Sequence, residues 1–294
     1  MLRLSTVAVR AGVILWCGFS LCASTLTRVA PTLTRAEGLY WHTQYEASLA
    51  LLDKNAPDAP TTFLIGRNYF MSGDFRKATD YFQKTVTADP ENSNYMDWLG
   101  RAYGKRAQTS NPLMAPMLAS KARQAFERSV ALDSKNTEAL SDLFEYYLEA
   151  PGFLGGGYDK ALAVANKISA VNPAEGYFAK AQLAKKRREF KDAEQHLRQA
   201  AALAPHQVGR LIDLARFLAD QGRTRESDAV FAQAQKLDPN APKVWFARAR
   251  TLIKQKRNFE EAKNLLQKYV HASITADDPS KDDALELLRQ LGGA

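Results

Sequence analysis

The sequence predicts an all-α fold, a solenoid of stacked helical hairpins. Three observations carry this reading. A 34-residue pattern of apolar, small and aromatic residues recurs along most of the 294-residue chain. Within each unit the apolar residues fall at helical spacing, in two stripes that can face each other. Pro90, Pro173, Pro205 and Pro239 close four of the units. Proline stops a helix because it lacks the N–H and restricts the residue before it. One hairpin buries only one face, so hairpins of this kind need neighbours.

The clearest unit spans 59–92. Counted from Ala59, residues Ile65, Gly66 and Tyr69 take positions seven, eight and eleven; Ala78 takes twenty, Phe82 twenty-four and Pro90 thirty-two. Small Gly66 lets the second helix (B) pack closely on the first (A). Ser72-Gly73-Asp74 makes the turn between them. This series resembles the tetratricopeptide repeat (TPR) family, with Thr62 where that pattern usually has Trp and Thr85 where it usually has Ala. The resemblance implies a right-handed superhelix whose helix-A residues line a concave face.

The remaining units repeat the pattern. Unit two (93–136) carries Met96, Leu99, Gly100 and Tyr103, then Ala122 and Phe126 about ten residues late, so its A–B turn is expected to be enlarged around Gln108–Pro116. Unit three (137–173) has Leu140, Phe144, Tyr147, Ala161 and Ile168. Its A–B turn is also long, Pro151-Gly152-Phe153-Leu154-Gly155-Gly156-Gly157. That turn resembles those of exported bacterial TPR proteins. Units four (174–207), five (208–241) and six (242–270) keep the spacing, with Ala262 one residue late. Caps are expected on both sides: a hairpin over 36–58, and an acidic loop with an amphipathic helix over 271–294. Ser280 reads as the N-cap of that last helix, with Asp282 and Asp283 favourable in its first turn.

The N-terminus reads differently. Met1–Arg10 holds two Arg and no acid, and Ala11–Ala23 is an apolar run of 13 residues. This is the pattern of a secretory signal peptide over 1–23, followed by a linker over 24–35. An uncleaved membrane anchor is the alternative, though the run is short of the roughly 20 residues a span needs. Both cysteines, Cys17 and Cys22, lie in this segment, which leaves no disulfide framework for a processed chain. No Asn stands in an Asn-X-Ser/Thr sequon. Export to a bacterial periplasm is the expected localisation.

Composition bounds the function. Lys+Arg number 40 against 32 Asp+Glu, a formal charge of +8, which is modest for this length and does not indicate a nucleic-acid partner. The four His (His42, His196, His206, His271) fall in different repeats, without metal-ligand spacing. No catalytic constellation is present in the sequence, so no enzyme activity, cofactor or metal is expected. Gly100–Lys105 lacks P-loop spacing and a preceding strand.

What remains is the concave face. In the TPR register, inward positions include Phe63, Asp97, Phe178 and Phe246 at position five. Position nine supplies Arg67, Arg101, Glu145, Arg216 and Arg250, with Phe70 and Lys105 at twelve and thirteen. Arginine can grip a carboxylate while neighbouring rings hold apolar side chains. The expected function is therefore a non-enzymatic scaffold of the cell envelope. It would bind an acidic, or mixed acidic and apolar, segment of another protein. The alternatives are a solvated charged face, or a small-ligand or glycan site at the turn residues Phe153, Leu154, Gly155, Gly156 and Gly157. The paired Asn positions of carboxylate-clamp TPRs are not matched, so their ligand is not implied.

Overall fold

The computed structural model describes residues 22–55 and 58–292, and the described residues are helical with no strand. The apolar run expected as a signal peptide lies mostly outside them. Helix α1 (Cys22–Trp41) and short α2 (Tyr45–Leu51) form the first hairpin. Residues 24–35, expected as a linker, are instead part of α1. Ala36 and Tyr40 explain this, because they are fully buried against unit one and reward continuation of the helix.

Six hairpins follow: α3 (Ala59–Met71) with α4 (Phe75–Ala88), α5 (Ser93–Thr109) with α6 (Ala115–Leu132), and α7 (Thr137–Glu149) with α8 (Tyr158–Val171). Then come α9 (Pro173–Lys186) with α10 (Phe190–Leu203), α11 (Val208–Asp220) with α12 (Thr224–Leu237), and α13 (Pro242–Lys254) with α14 (Phe259–His271). Helix α15 (Lys281–Gly292) caps the last, and its Asp283 N–H donates to Ser280 Oγ at 3.1 Å as expected.

The turns between units cap the following helices. Side-chain oxygens of Asp58, Asn92, Asn136 and Asn172 accept from the backbone N–H three residues on, at 2.8, 3.2, 3.1 and 3.2 Å. Each satisfies an N–H that the helix itself leaves unpaired.

Within a hairpin, close approach is set by glycine. A Cβ on Gly66 would lie 2.6 Å from the Phe82 ring, and one on Gly100 would lie 2.6 Å from the Phe126 ring. Positions eight and twenty-four are thus one packing unit, a small residue against a ring. Successive apolar clusters run along the stack from Tyr40 to Ala284.

Two features depart from a plain solenoid. In unit two the added residues mainly lengthen α5 and α6, leaving a short bend at 110–114 rather than a long loop. Asn111 Oδ1 accepts from the Leu113 and Met114 N–H groups and holds that bend. The second feature is at the ends. Ala276, in the loop before α15, packs against the buried cluster of Ala36, Tyr40, Leu52, Leu64 and Ile65, built from the first hairpin and α3. A cleft of about 740 Å3 separates Thr43–Ala47 from Ile274, Asp278 and Ser280–Asp282. The last loop therefore touches the first hairpin.

Candidate binding groove

The clefts of the described residues bring together several of the A-helix positions that the register assigns to the concave side. Two clefts adjoin there. One, of about 580 Å3, is bounded by Phe70, Arg101, Lys105, Phe126, Asp142, Glu145, Tyr146, Glu149, Pro151 and Leu154, among others. The other, of about 410 Å3, runs from Phe144 and Leu148 to Phe178 and Gln182 and shares Glu145 and Glu149 with the first. Groove residues and the Gly-rich turn thus meet in one place. Phe70, Arg101, Lys105, Glu145 and Leu154 come together, and Phe178 lies next door.

The Gly-rich turn is pinned. Residues Gly152–Leu154 form a single 3-10 turn. Tyr146 Oη donates to Leu154 O at 2.9 Å, Gly157 N–H donates to Tyr147 O at 2.8 Å, and Lys160 Nζ donates to Gly155 O at 2.8 Å. Gly155 sits at φ 88°, where a side chain is strained. Gly156 has no room for one, since its Cβ would lie 1.9 Å from Ala150 O. The turn leaves Leu154 half-buried in the cleft wall and Phe153 83% exposed.

The arginines of position nine are not equivalent. Arg67 is ringed by aromatics: its guanidinium carbon lies 4.1 Å from the Tyr40 centroid, 5.1 Å from Trp41, 5.2 Å from Trp98 and 5.6 Å from Phe63. Arg67 thus bridges Tyr40 and Trp41 of the first hairpin to Phe63. Arg101 is already neutralised. It pairs with Asp97 at 2.9 Å, Asp142 at 2.5 Å and Glu138 at 3.0 Å, and stacks on Trp98. Arg216 and Arg250 are exposed and make no ion pair or hydrogen bond among the described residues; Arg250 lies 5.9 Å from the Phe246 ring.

Asp97 and Phe246 differ from expectation in being buried. Asp97 is fully buried behind Arg101. Burial, and the adjacent Asp142 carboxylate, push its carboxyl up to about 8, against the pull of Arg101. Phe246 is packed on Tyr269 at 5.1 Å and supports the groove floor rather than its surface. Phe178 is partly covered by Arg210, 4.4 Å above its ring, which Glu175 and Asp213 hold at 2.5 and 2.9 Å. Burial pushes Asp213 up to about 6 against Arg210 and Arg216.

The sequence reading omitted Asp142, Tyr146 and Glu149. Glu149 is position thirteen of unit three, so the register that selects Lys105 also selects it. Asp142 is position six and gives no such signal. Among the described residues, no His/Cys/Asp/Glu group is arranged to hold a metal ion, and no helix is long and apolar enough to cross a membrane.

Stacked helical hairpins with a side-chain-lined concave face define an α-solenoid of the TPR type. Residues 212–280 match the tetratricopeptide repeat model. Among solved structures, the fold is shared with a thermophilic TPR protein of Thermus thermophilus, at 19% identity and TM-score 0.54 over 64% of this chain and 98% of that one. It is also shared with a tetratricopeptide repeat protein of Parabacteroides merdae, at 14% identity and TM-score 0.56 over 90% of this chain and 98% of that one. None of the curated proteins matches the chain.

Proposed function

We propose that the protein is a non-enzymatic scaffold of the cell envelope that holds a segment of another protein in its concave groove. One observation carries this: two neighbouring clefts that share Glu145 and Glu149 extend from Phe70 to Phe178, with apolar and charged lining interleaved. Repeats of this type use such extended concave surfaces for binding. Acidic groups of the segment would meet Arg216 and Arg250, the exposed arginines of the row that make no ion pair among the described residues. Arg67 and Arg101 support the wall instead of gripping the ligand.

Display selection of short random peptides on the full chain tests this. Bound peptides with acidic residues are expected to lose at least about tenfold in affinity on an Arg216→Glu/Arg250→Glu protein. Both side chains are exposed, so the variant should keep its helical circular dichroism. Failure to select any peptide would sink the groove reading. So would binding indifferent to both this pair and Phe70→Ala. The envelope assignment rests on the N-terminal segment alone; an unprocessed chain found only in the cytosol would overturn it.

A small-ligand or glycan reading draws on the same cleft, since Pro151 and Leu154 of the turn line it. Thermal shifts with a ligand panel, abolished in Leu154→Ala, would favour that reading.

A further inference from the structure

We infer that the cleft between Phe70 and Leu154 takes a basic side chain, lysine or arginine, of the bound segment. This rests on the groove reading above. It places a cation-binding subsite in the half of the groove opposite Arg216 and Arg250, giving the groove two poles.

The cleft has the shape for a long side chain with a charged end. Its volume is about 580 Å3, and Phe70, Phe126, Tyr146 and Leu154 supply apolar walls. Lysine and arginine bury their methylene stems along such walls and keep the charged head among polar groups. Aromatic faces add attraction for the cation.

The charge at the cleft is unbalanced toward the negative. Asp142, Glu145 and Glu149 line it, and Glu138 stands beside Arg101. Arg101 is consumed by Asp97, Glu138 and Asp142. Glu149 is held by Lys186 at 3.0 Å. Glu145 has neither an ion pair nor a hydrogen bond among the described residues, and it lines both clefts. Lys105 is the remaining cation of the lining, and it acts on Glu145 less strongly than Asp142 and Glu149 do. Partial desolvation by the cleft walls, together with those two neighbours, holds the Glu145 carboxyl above its usual range although its side chain reaches solvent. An incoming ammonium or guanidinium would relieve this repulsion and form a charge-assisted hydrogen bond with Glu145. An acidic side chain at the same place would add to the repulsion.

The test uses peptides selected by display on the full chain, with each basic residue of the bound sequences replaced by Gln. One Lys or Arg is expected to matter by about tenfold or more on the unaltered protein. On Glu145→Gln the same replacement should have little further effect, and Glu145→Lys should favour a Glu at that peptide position. Glu145 is exposed, so these variants keep the fold, checked by circular dichroism. Peptides that bind in the groove without needing a basic residue would overturn this inference and leave the groove reading standing. Basic residues whose contribution is unchanged by Glu145→Gln would do the same. If no peptide is selected at all, both fall together.

Discussion

Replacing Arg101 with alanine is expected to lower unfolding free energy by about 3–5 kcal/mol at pH 8–9, and by clearly less near pH 4. The reason is Asp97, which lies fully buried with Arg101 Nε 2.9 Å away. Removing the guanidinium leaves Asp97 and Asp142 facing each other without their shared cation, so the fold can then form only with Asp97 protonated. The pH dependence follows from the raised carboxyl, at about 8 in the fold against 3.8 ordinarily. A raised acid holds its proton in the folded state and loses it on unfolding, so stability falls as pH rises from about 4 to about 8. Without Arg101 the folded value rises further and the fall extends above pH 8. Asp97→Asn carries no proton to lose, so it should flatten this region and be more stable than the unaltered protein at pH 8–9. Urea titrations at several pH values measure both. A pH-independent Arg101→Ala effect would show that Asp97 does not govern the cluster. One practical consequence is that Arg101 is a poor residue for probing ligand contact, because its loss disturbs the fold.

Phe82→Ala is expected to cost about 3–5 kcal/mol. The Phe82 ring is fully buried, fills the space left by Gly66, and contacts the Phe63 and Trp98 rings at 5.8 Å. Gly66 has no side chain to collapse into the cavity, so relaxation recovers little. The loss should be local at first: amide exchange should accelerate in α3 to α5 before α11 to α14, since each repeat leans chiefly on its neighbours. Uniform acceleration over the whole chain would show instead that the stack unfolds as one unit.

The fold was legible because its determinants are local and repeat. Gly66 with Phe82, and Gly100 with Phe126, are the same small-residue-and-ring pairing within a hairpin, the second stretched by the insertion in unit two. Asn92, Asn136 and Asn172 are capping residues directly before their helices. The groove was legible only as a row of positions. The register placed Arg67, Arg101, Arg216 and Arg250 on one line, but what each does depends on partners from other units. Arg67 is caged by Tyr40 and Trp41 of the preceding hairpin and by Trp98 of the next. Arg101 is neutralised by Asp142 and Glu138 from the following A helix. Phe246 was assigned to the surface by its register position, yet Tyr269 of its own hairpin covers it. Pairings across repeats lie about one repeat length apart in sequence and carry no periodic mark.

The contact of Ala276 with the first hairpin bears on access to the groove. With the last loop resting on the first hairpin, the two ends of the solenoid are bridged beside the cleft that otherwise separates them. Were that bridge to hold while a partner binds, a free chain terminus would enter the groove more readily than a stretch flanked by folded domains. Occupants would then be sorted by where in a partner the segment lies as well as by its charge.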